Sequence, residues 1–263
     1  MNRVLLLAIL SAISLPLLAR ETVLITSFDP FGGSSDNNST RIALEVKTHL
    51  GETVEVVTCL LPTSYERAIP ALEKCKAEMI TAPDLVVSLG EGPCKVKWET
   101  RAHNRDHDHG PDNDGVSRRR RTIIADAPKE LGLRLHYPAM WCSLNEKEKK
   151  LVQVSIDPEN FVCNNTAYRF SHAHPEQLYG FVHVPRTSCE KKTPGITAKS
   201  SELVAKMIRE QLAVLATDSS RLDLPRLTNT TRLATTRLSV QALQRDTSEA
   251  CEEEFLKRWL KAF

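Results

Sequence analysis

Strand-like and helix-like segments take turns along most of this chain, and that alternation limits its fold more than any other feature. Glu21–Phe28 (ETVLITSF) is rich in β-branched residues and ends at Asp29-Pro30. Ser39 or Thr40 is suited to cap a helix running to about His49. Thr53–Leu61 (TVEVVTCLL) reads as a second strand, and apolar residues from Tyr65 to Met79 fall at helical spacing. Asp84–Gly90 (DLVVSLG) is a short apolar strand closed by glycine, and Leu151–Ile156 and Tyr179–Val184 add two more. Residues 161–172 and 197–216 read as helices. This order predicts an α/β domain with a mostly parallel sheet. In such sheets sites gather at the carboxyl ends of the strands. Three loops meet that condition: the one after Ser27, the one after Gly90 and the one before Cys163.

The flanks read differently. Residues 1–19 carry Arg3, then a largely apolar run from Val4 to Leu18 broken by Ser11, Ser14 and Pro16, then the small Ala19. That is the pattern of a secretory signal peptide, too short and too interrupted for a membrane span. No later segment reads as a span, so no membrane contact is expected once the leader is cleaved, and the expected location is secreted or periplasmic. From about Thr217 glycine disappears and Arg, Thr and Leu dominate, and Val240–Phe263 reads as a helical tail. The chain thus divides into a leader (1–19), an α/β domain (20–216) and a C-terminal helical extension (217–263). The formal charge of +2 becomes +1 without Arg3, which argues against nucleic acid as a partner. The run Arg118–Arg121 reads as a solvated loop face.

Export alters the meaning of the cysteines. Seven is an odd number, so internal pairing in an oxidising compartment leaves at least one thiol over. Cys59, Cys75, Cys94, Cys142, Cys189 and Cys251 suffice for three bridges of unknown connectivity. Cys163, in FVCNNTAY, follows the turn-like Asp157-Pro158-Glu159-Asn160 and falls near the start of a helix. A helix N-terminus favours thiolate, and a nearby histidine would make it a nucleophile. A buried or bridged cysteine is an equally open reading of the residues alone. His183 ends an apolar strand before Pro185, where a satisfied structural histidine is the commoner case. Glu99 is one acidic residue among many.

Other chemistries carry less signal. His103, His107, His109, Asp106, Asp108 and Asp112 have donor types suited to a metal, yet they match no zinc motif, and Pro-Asp-Asn-Asp-Gly is ordinary turn sequence. No cofactor or metal is expected. Gly90-Glu91-Gly92 lacks the third glycine of a nucleotide fingerprint. Glycosylation sequons start at Asn37, Asn38, Asn164 and Asn229.

Several separated segments, taken together, are similar to the pyroglutamyl peptidases. TSFDPFGG (Thr26–Gly33) resembles that family's T-G-F-x-P-F-G-G, with Ser27 where glycine is usual. ETRAHNRDHDHGPDNDG (Glu99–Gly115) keeps Glu99, Ala102, Asn104, Pro111, Asp112, Asn113 and Gly115 in register with E-R-V-A-x-N and D-A-R-x-P-D-N-x-G. SIDPENFVCN (Ser155–Asn164) corresponds to S-x-x-A-G-x-F-V-C-N, and GFVHVP (Gly180–Pro185) to G-F-I-H-V-P. Order and spacing agree from about residue 22 to 200.

The resemblance implies a three-layer α/β/α sandwich and removal of amino-terminal pyroglutamate from small peptides. It implies a catalytic set of Cys163, His183 and Glu99. It places Phe28, Phe31, Phe161 and Val162 around the flat lactam ring, backbone groups near Gly90 and Glu91 on its amide, and Asn37 beside them. A homo-oligomer is left open. The chain departs from the family pattern at Thr100, at Pro158-Glu159, at Glu91 and at His107-Asp108-His109. Those departures support a second reading, a binding module of altered chemistry on the same fold. A metal-dependent hydrolase using His103, His107 and His109 is the third.

Overall fold

The computed structural model describes residues 20–106, 110–156, 161–217 and 245–260. The leader, His107, Asp108 and His109, and Pro158-Glu159 lie outside the described residues. Six strands form the central sheet: β1 (Thr22–Phe28), β2 (Glu55–Leu61), β3 (Leu85–Gly92), β4 (Val96–Glu99), β7 (Val152–Ser155) and β8 (Leu178–Pro185), in the order β2-β1-β3-β8-β4-β7. Four of the five pairings are parallel, and only β4 runs antiparallel to its neighbour β8. A separate two-stranded ribbon joins β5 (Arg101–His103) to β6 (Glu130–Gly132).

Helices cover both faces, as a buried parallel sheet requires. One layer holds α1 (Asn38–Leu50), α3 (Tyr137–Cys142), α6 (Ile196–Thr217) and α7 (Arg245–Leu260), packed on Val23, Ile25, Val87, Trp98 and Val182. The other holds α2 (Ala68–Ala77) and α5 (Val162–Ala173), packed on Leu24, Val86, Tyr179 and Phe181. A single-turn helix, α4 (Glu146–Lys149), precedes β7. Strand β1 is buried along its whole length, and its polar members are satisfied inside: Thr26 Oγ1 donates to Ser88 Oγ at 2.8 Å, which also accepts from the Tyr179 hydroxyl at 3.1 Å. This is the expected α/β sandwich around a mostly parallel sheet.

Several sequence readings shift by local chemistry. The cap of α1 is Asn37 rather than Ser39 or Thr40, because its extended backbone (φ −138°) lets Oδ1 accept from the Ser39 backbone N–H at 3.1 Å. Helix α2 starts at Ala68, not Tyr65, because the Ser64 hydroxyl accepts from the N–H groups of Glu66 and Arg67 and holds a turn there. Strand β3 runs on past Gly90 to Gly92, in register with β8 throughout. Arg118 is not part of a solvated face: it pairs with Asp106 and Glu66 and lies over the Tyr65 ring. The sequons at Asn37, Asn38 and Asn164 fall on buried side chains, which leaves no room for a glycan on the folded chain.

Three cysteine pairs lie at bonding distance: Cys59 with Cys75, Cys94 with Cys189, and Cys142 with Cys251. Their Cα separations of 6.2, 5.3 and 5.8 Å fall in the range of bridged cysteines. Cys163 stands apart as the remaining thiol. The last pair ties α3 to α7, and α7 buries Phe255 and Trp259 in the same apolar cluster as Trp98, with Phe255 6.0 Å from Trp141. Helix α7 therefore contributes to the core through Phe255 and Trp259. Phe255→Ala should lower the free energy of unfolding by about 3 kcal/mol, as aromatic truncations in cores do. Urea unfolding checks this, and a change below about 0.5 kcal/mol would mean that α7 is not part of the cooperative unit.

Candidate active site

The carboxyl ends of β1, β3 and β8 converge on the amino end of α5, where Cys163 is the second helical residue. Phe161 precedes the helix in extended conformation (φ −105°, ψ −159°) and makes no side-chain cap hydrogen bond. Helix starts of this kind carry unclaimed N–H donors and partial positive charge. The Cys163 sulfur packs against β3 at Gly90, where a Cβ would come within 2.9 Å of it and 3.0 Å of the Phe181 ring. Only glycine lets the thiol approach the strand so closely. Two residues on, a Cβ at Gly92 would come within 2.8 Å of the His183 Cβ. The glycines of Gly90-Glu91-Gly92 thus make room for a thiol and an imidazole.

His183 and Glu99 meet across the antiparallel seam between β8 and β4. His183 Nδ1 lies 2.8 Å from Glu99 Oε1, with both side chains almost fully buried. Burial alone would lower the His183 pKa. Hydrogen bonds to Cys163 and Glu99, and the negative charge of both, outweigh it and raise the value to about 10. His183 is therefore an imidazolium at neutral pH, the partner that favours a thiolate. With Nδ1 held by Glu99, Nε2 is the nitrogen left to serve Cys163. The chain Glu99–His183–Cys163 can deliver a nucleophile and move one proton.

The neighbouring loops are held by side chains. Asp29 Oδ1 accepts from the Thr63 N–H at 2.6 Å and from Asn113 Nδ2 at 3.0 Å, and Asn113 also donates to the Pro30 carbonyl at 2.8 Å. The PDN turn thereby fixes the loop that follows Phe28 and carries Phe31. Asp112 anchors that turn by accepting from the N–H groups of Tyr65, Asp114 and Val116. Asn164 accepts from the His103 N–H at 2.7 Å and donates to the carbonyls of His103 and Arg105. That pins β5 to the helix of Cys163.

Phe31 and Phe161 lie 5.8 Å apart and Tyr65 meets Phe161 edge-on at 5.5 Å, while Phe28 packs on Phe181 at 6.3 Å. Val162 is buried beneath them. These rings form an aromatic wall next to the thiol. Asn37 is engaged as the α1 cap and donates to the Asp29 carbonyl at 3.1 Å, and Glu91 Oε1 accepts from the N–H groups of Asn38 and Thr187. Both side chains hold loops together around the site. Tyr65 and Tyr137 had no role in the sequence reading. The Tyr137 hydroxyl donates to the Glu99 carbonyl at 2.6 Å, and burial with the nearby carboxylate pushes its pKa well above the ordinary value, so it stays a donor.

Of the departing residues, Thr100 is accommodated locally. The Thr100 hydroxyl and N–H both bond the Ser155 carbonyl, and Arg101 pairs with Glu130. Of the suggested metal ligands, His103 contacts the Ile156 carbonyl, Asp106 binds Arg118 and Asn165, and Asp112 holds the turn. Among the described residues no three His, Cys, Asp or Glu side chains cluster to hold an ion.

Comparison with known proteins bears on this geometry. A model of the family described as pyroglutamyl peptidase matches residues 21–216. The pyrrolidone-carboxylate peptidase of Bacillus thuringiensis (strain Al Hakam) is 30% identical over 220 residues, covering 80% of this chain and 99% of that protein. The solved pyrrolidone carboxyl peptidase of Thermococcus litoralis superposes with a TM-score of 0.64 at 26% identity, over 74% of this chain and 95% of its own. The solved pyroglutamyl peptidase I of Bacillus amyloliquefaciens gives 0.64 at 22% identity, over 74% and 98%, which supports the fold.

The raised pKa of His183 carries a stability consequence. A group whose pKa rises on folding contributes stability that is complete below its unfolded value, about 6.5, and that is lost as pH climbs to its folded value. For His183 the window runs from about 6.5 to about 10. The melting temperature of the wild type relative to His183→Gln should fall steadily as pH rises through that window. Calorimetry at a series of pH values checks it, and a constant or growing difference contradicts the assignment.

Proposed function

Because this chain belongs to the pyroglutamyl peptidase family, we propose that it removes amino-terminal pyroglutamate from small peptides, with Cys163 as nucleophile, His183 as acid and base, and Glu99 orienting His183. It is a cysteine-type omega-peptidase. The observation that carries the assignment of roles is the buried Glu99–His183 pair hydrogen-bonded on to the half-buried Cys163 at the start of α5.

The Glu99–His183–Cys163 arrangement supports the following steps. The Cys163 thiolate attacks the carbonyl carbon that links pyroglutamate to the next residue. The negative oxygen of the tetrahedral intermediate finds the N–H donors of the first turn of α5. His183 gives its Nε2 proton to the leaving amine, and the C–N bond breaks to leave a thioester. Water then attacks the thioester while His183 takes its proton. Pyroglutamate leaves with the new oxygen and Cys163 returns as thiolate beside the imidazolium. Glu99 accepts the Nδ1–H throughout, in the manner of a triad carboxylate. The lactam is flat and uncharged, so Phe28, Phe31, Phe161 and Val162 bind it chiefly by apolar contact, and backbone groups at Gly90 and Glu91 read its amide.

The same proposal places the enzyme outside the cytoplasm, secreted or periplasmic. The leader pattern of residues 1–19 and three cysteine pairs at bonding distance support this, since bridges persist in oxidising compartments. The pairing leaves the nucleophile as the unbridged thiol.

Wild-type protein should release the fluorophore from a pyroglutamyl aminomethylcoumarin, and Cys163→Ala should lose at least about a thousandfold in kcat/KM. Absence of Cys163-dependent release across about pH 5 to 9 would sink the activity. Iodoacetamide then distinguishes the binding-module reading. At about pH 6 an activated Cys163 is labelled, and His183→Gln slows the labelling roughly tenfold or more, whereas an inert thiol shows neither behaviour.

A further inference from the structure

The catalytic chain accounts for Glu99, His183 and Cys163 but leaves out the nearest cation. Lys97 precedes Glu99 by two residues on β4, so the two side chains leave the same face of the strand. It stands directly opposite His183 in the β4–β8 ladder. Its Nζ lies 3.3 Å from Glu99 Oε1, the same oxygen that His183 Nδ1 approaches at 2.8 Å. Lys97 is only 8% exposed, and Glu99 Oε2 has no hydrogen-bond partner among the described residues. One carboxylate oxygen therefore serves two cations at once.

A count of charge shows why this matters. Thiolate and imidazolium cancel, which leaves the Glu99 carboxylate as a net negative charge in a fully buried place. A buried charge without a counter-charge is strongly disfavoured. The Lys97 ammonium, 3.3 Å from Glu99 Oε1, offsets that charge. It also competes for the oxygen that holds the Nδ1 proton. We propose that Lys97 is a positioning residue of this peptidase: by sharing Glu99 with His183, it limits how tightly the imidazolium proton is held and so keeps that proton transferable to the leaving amine. This inference rests on the reading of Cys163 and His183 given above.

The sign of the effect is set by the groups that face His183. Helix α5 presents Cys163, and β4 presents Glu99 and Lys97. Strand β3 presents only glycine to the ring, since the Glu91 carboxylate turns to the N–H groups of Asn38 and Thr187. Helix α3 presents the Tyr137 hydroxyl at the Glu99 carbonyl, and on β8 itself the Tyr179 hydroxyl is turned to Ser88. Lys97 is the positive member of this set besides His183 itself. Removing its charge strengthens the pull of Glu99 and lifts the electrostatic push on the imidazolium, and both changes raise the pH at which His183 loses its proton.

Three variants separate charge from packing. Lys97→Met keeps most of the apolar stem, Lys97→Gln keeps a donor without charge, and Lys97→Arg keeps the charge. The His183 imidazole is titrated by NMR in each, a readout that needs no turnover, and the basic limb of kcat/KM on pyroglutamyl aminomethylcoumarin is followed in parallel. The midpoint should rise by about one pH unit in the Met and Gln variants, a roughly tenfold lower neutral fraction at a fixed alkaline pH, and the basic limb should move with it. Lys97→Arg should stay close to wild type. Should the Met variant fail to fold, Lys97→Gln decides alone. An unchanged or lowered midpoint in the neutral variants overturns the proposal, as does a midpoint in Lys97→Arg displaced as far as theirs. If even the wild type releases no fluorophore, the peptidase reading fails, while the NMR titration still decides the part played by Lys97.

Discussion

The reversal of β4 against β8 is the constraint on which the site depends. Every other strand neighbour in the sheet is parallel. The antiparallel ladder instead sets Lys97 opposite His183 and Glu99 opposite Phe181, so a carboxylate reaches the imidazole from the buried side. The opening of the site is then left to β3 and α5. Gly90 and Gly92 complete the arrangement by subtraction, since any side chain there would displace the sulfur or the ring. A buried carboxylate, an imidazole and a thiol are costly to assemble, and rigid strands on three sides keep them together without rearrangement during the reaction.

Much of the frame was legible in the sequence because its long elements have clear periodicity. Strand β1 and helices α1, α5 and α6 fall close to where the apolar pattern puts them. The short elements were not legible. Val-Lys-Trp-Glu is only four residues, and a pair of charges in a short stretch reads as solvated surface. Its period of two was the available signal: Val96 and Trp98 enter one apolar layer, while Lys97 and Glu99 face the other, beneath the site. Lys97 was passed over because a lysine with a buried ammonium is uncommon. Cysteine pairing was hidden for a different reason. Partners separated by 95 and 109 residues meet only once the layers have packed.

The motifs themselves gain a physical meaning. Asp29 and Asn113 are far apart in sequence, yet one hydrogen bond joins them, and Thr63 completes the clamp from a third segment. The residues that would touch the lactam are apolar and make no directional bonds of their own. Their loop therefore depends on polar side chains from elsewhere to hold its shape. The same logic applies to Asn164, whose side-chain amide bonds the backbone of His103 and Arg105 beside the thiol. Asp29, Asn113 and Asn164 thus organise the loops around the thiol.

Helix α7 lies beyond residue 216, where the family match ends, and it packs in the layer opposite Cys163. It gains apolar burial through Phe255 and Trp259 without approaching the substrate wall. Its neighbour α3, however, is the helix whose Tyr137 hydroxyl holds the Glu99 carbonyl. Among the described residues, helix α7 thus reaches the chemistry by way of α3 and that hydrogen bond. Tyr137 bonds the backbone of Glu99, so support from α7 steadies the position of β4 rather than the charge on the carboxylate. Charge balance at Glu99 is a separate matter, handled within β4 by Lys97. Position and charge at Glu99 are thus the concern of two different residues, and either can change while the other is kept.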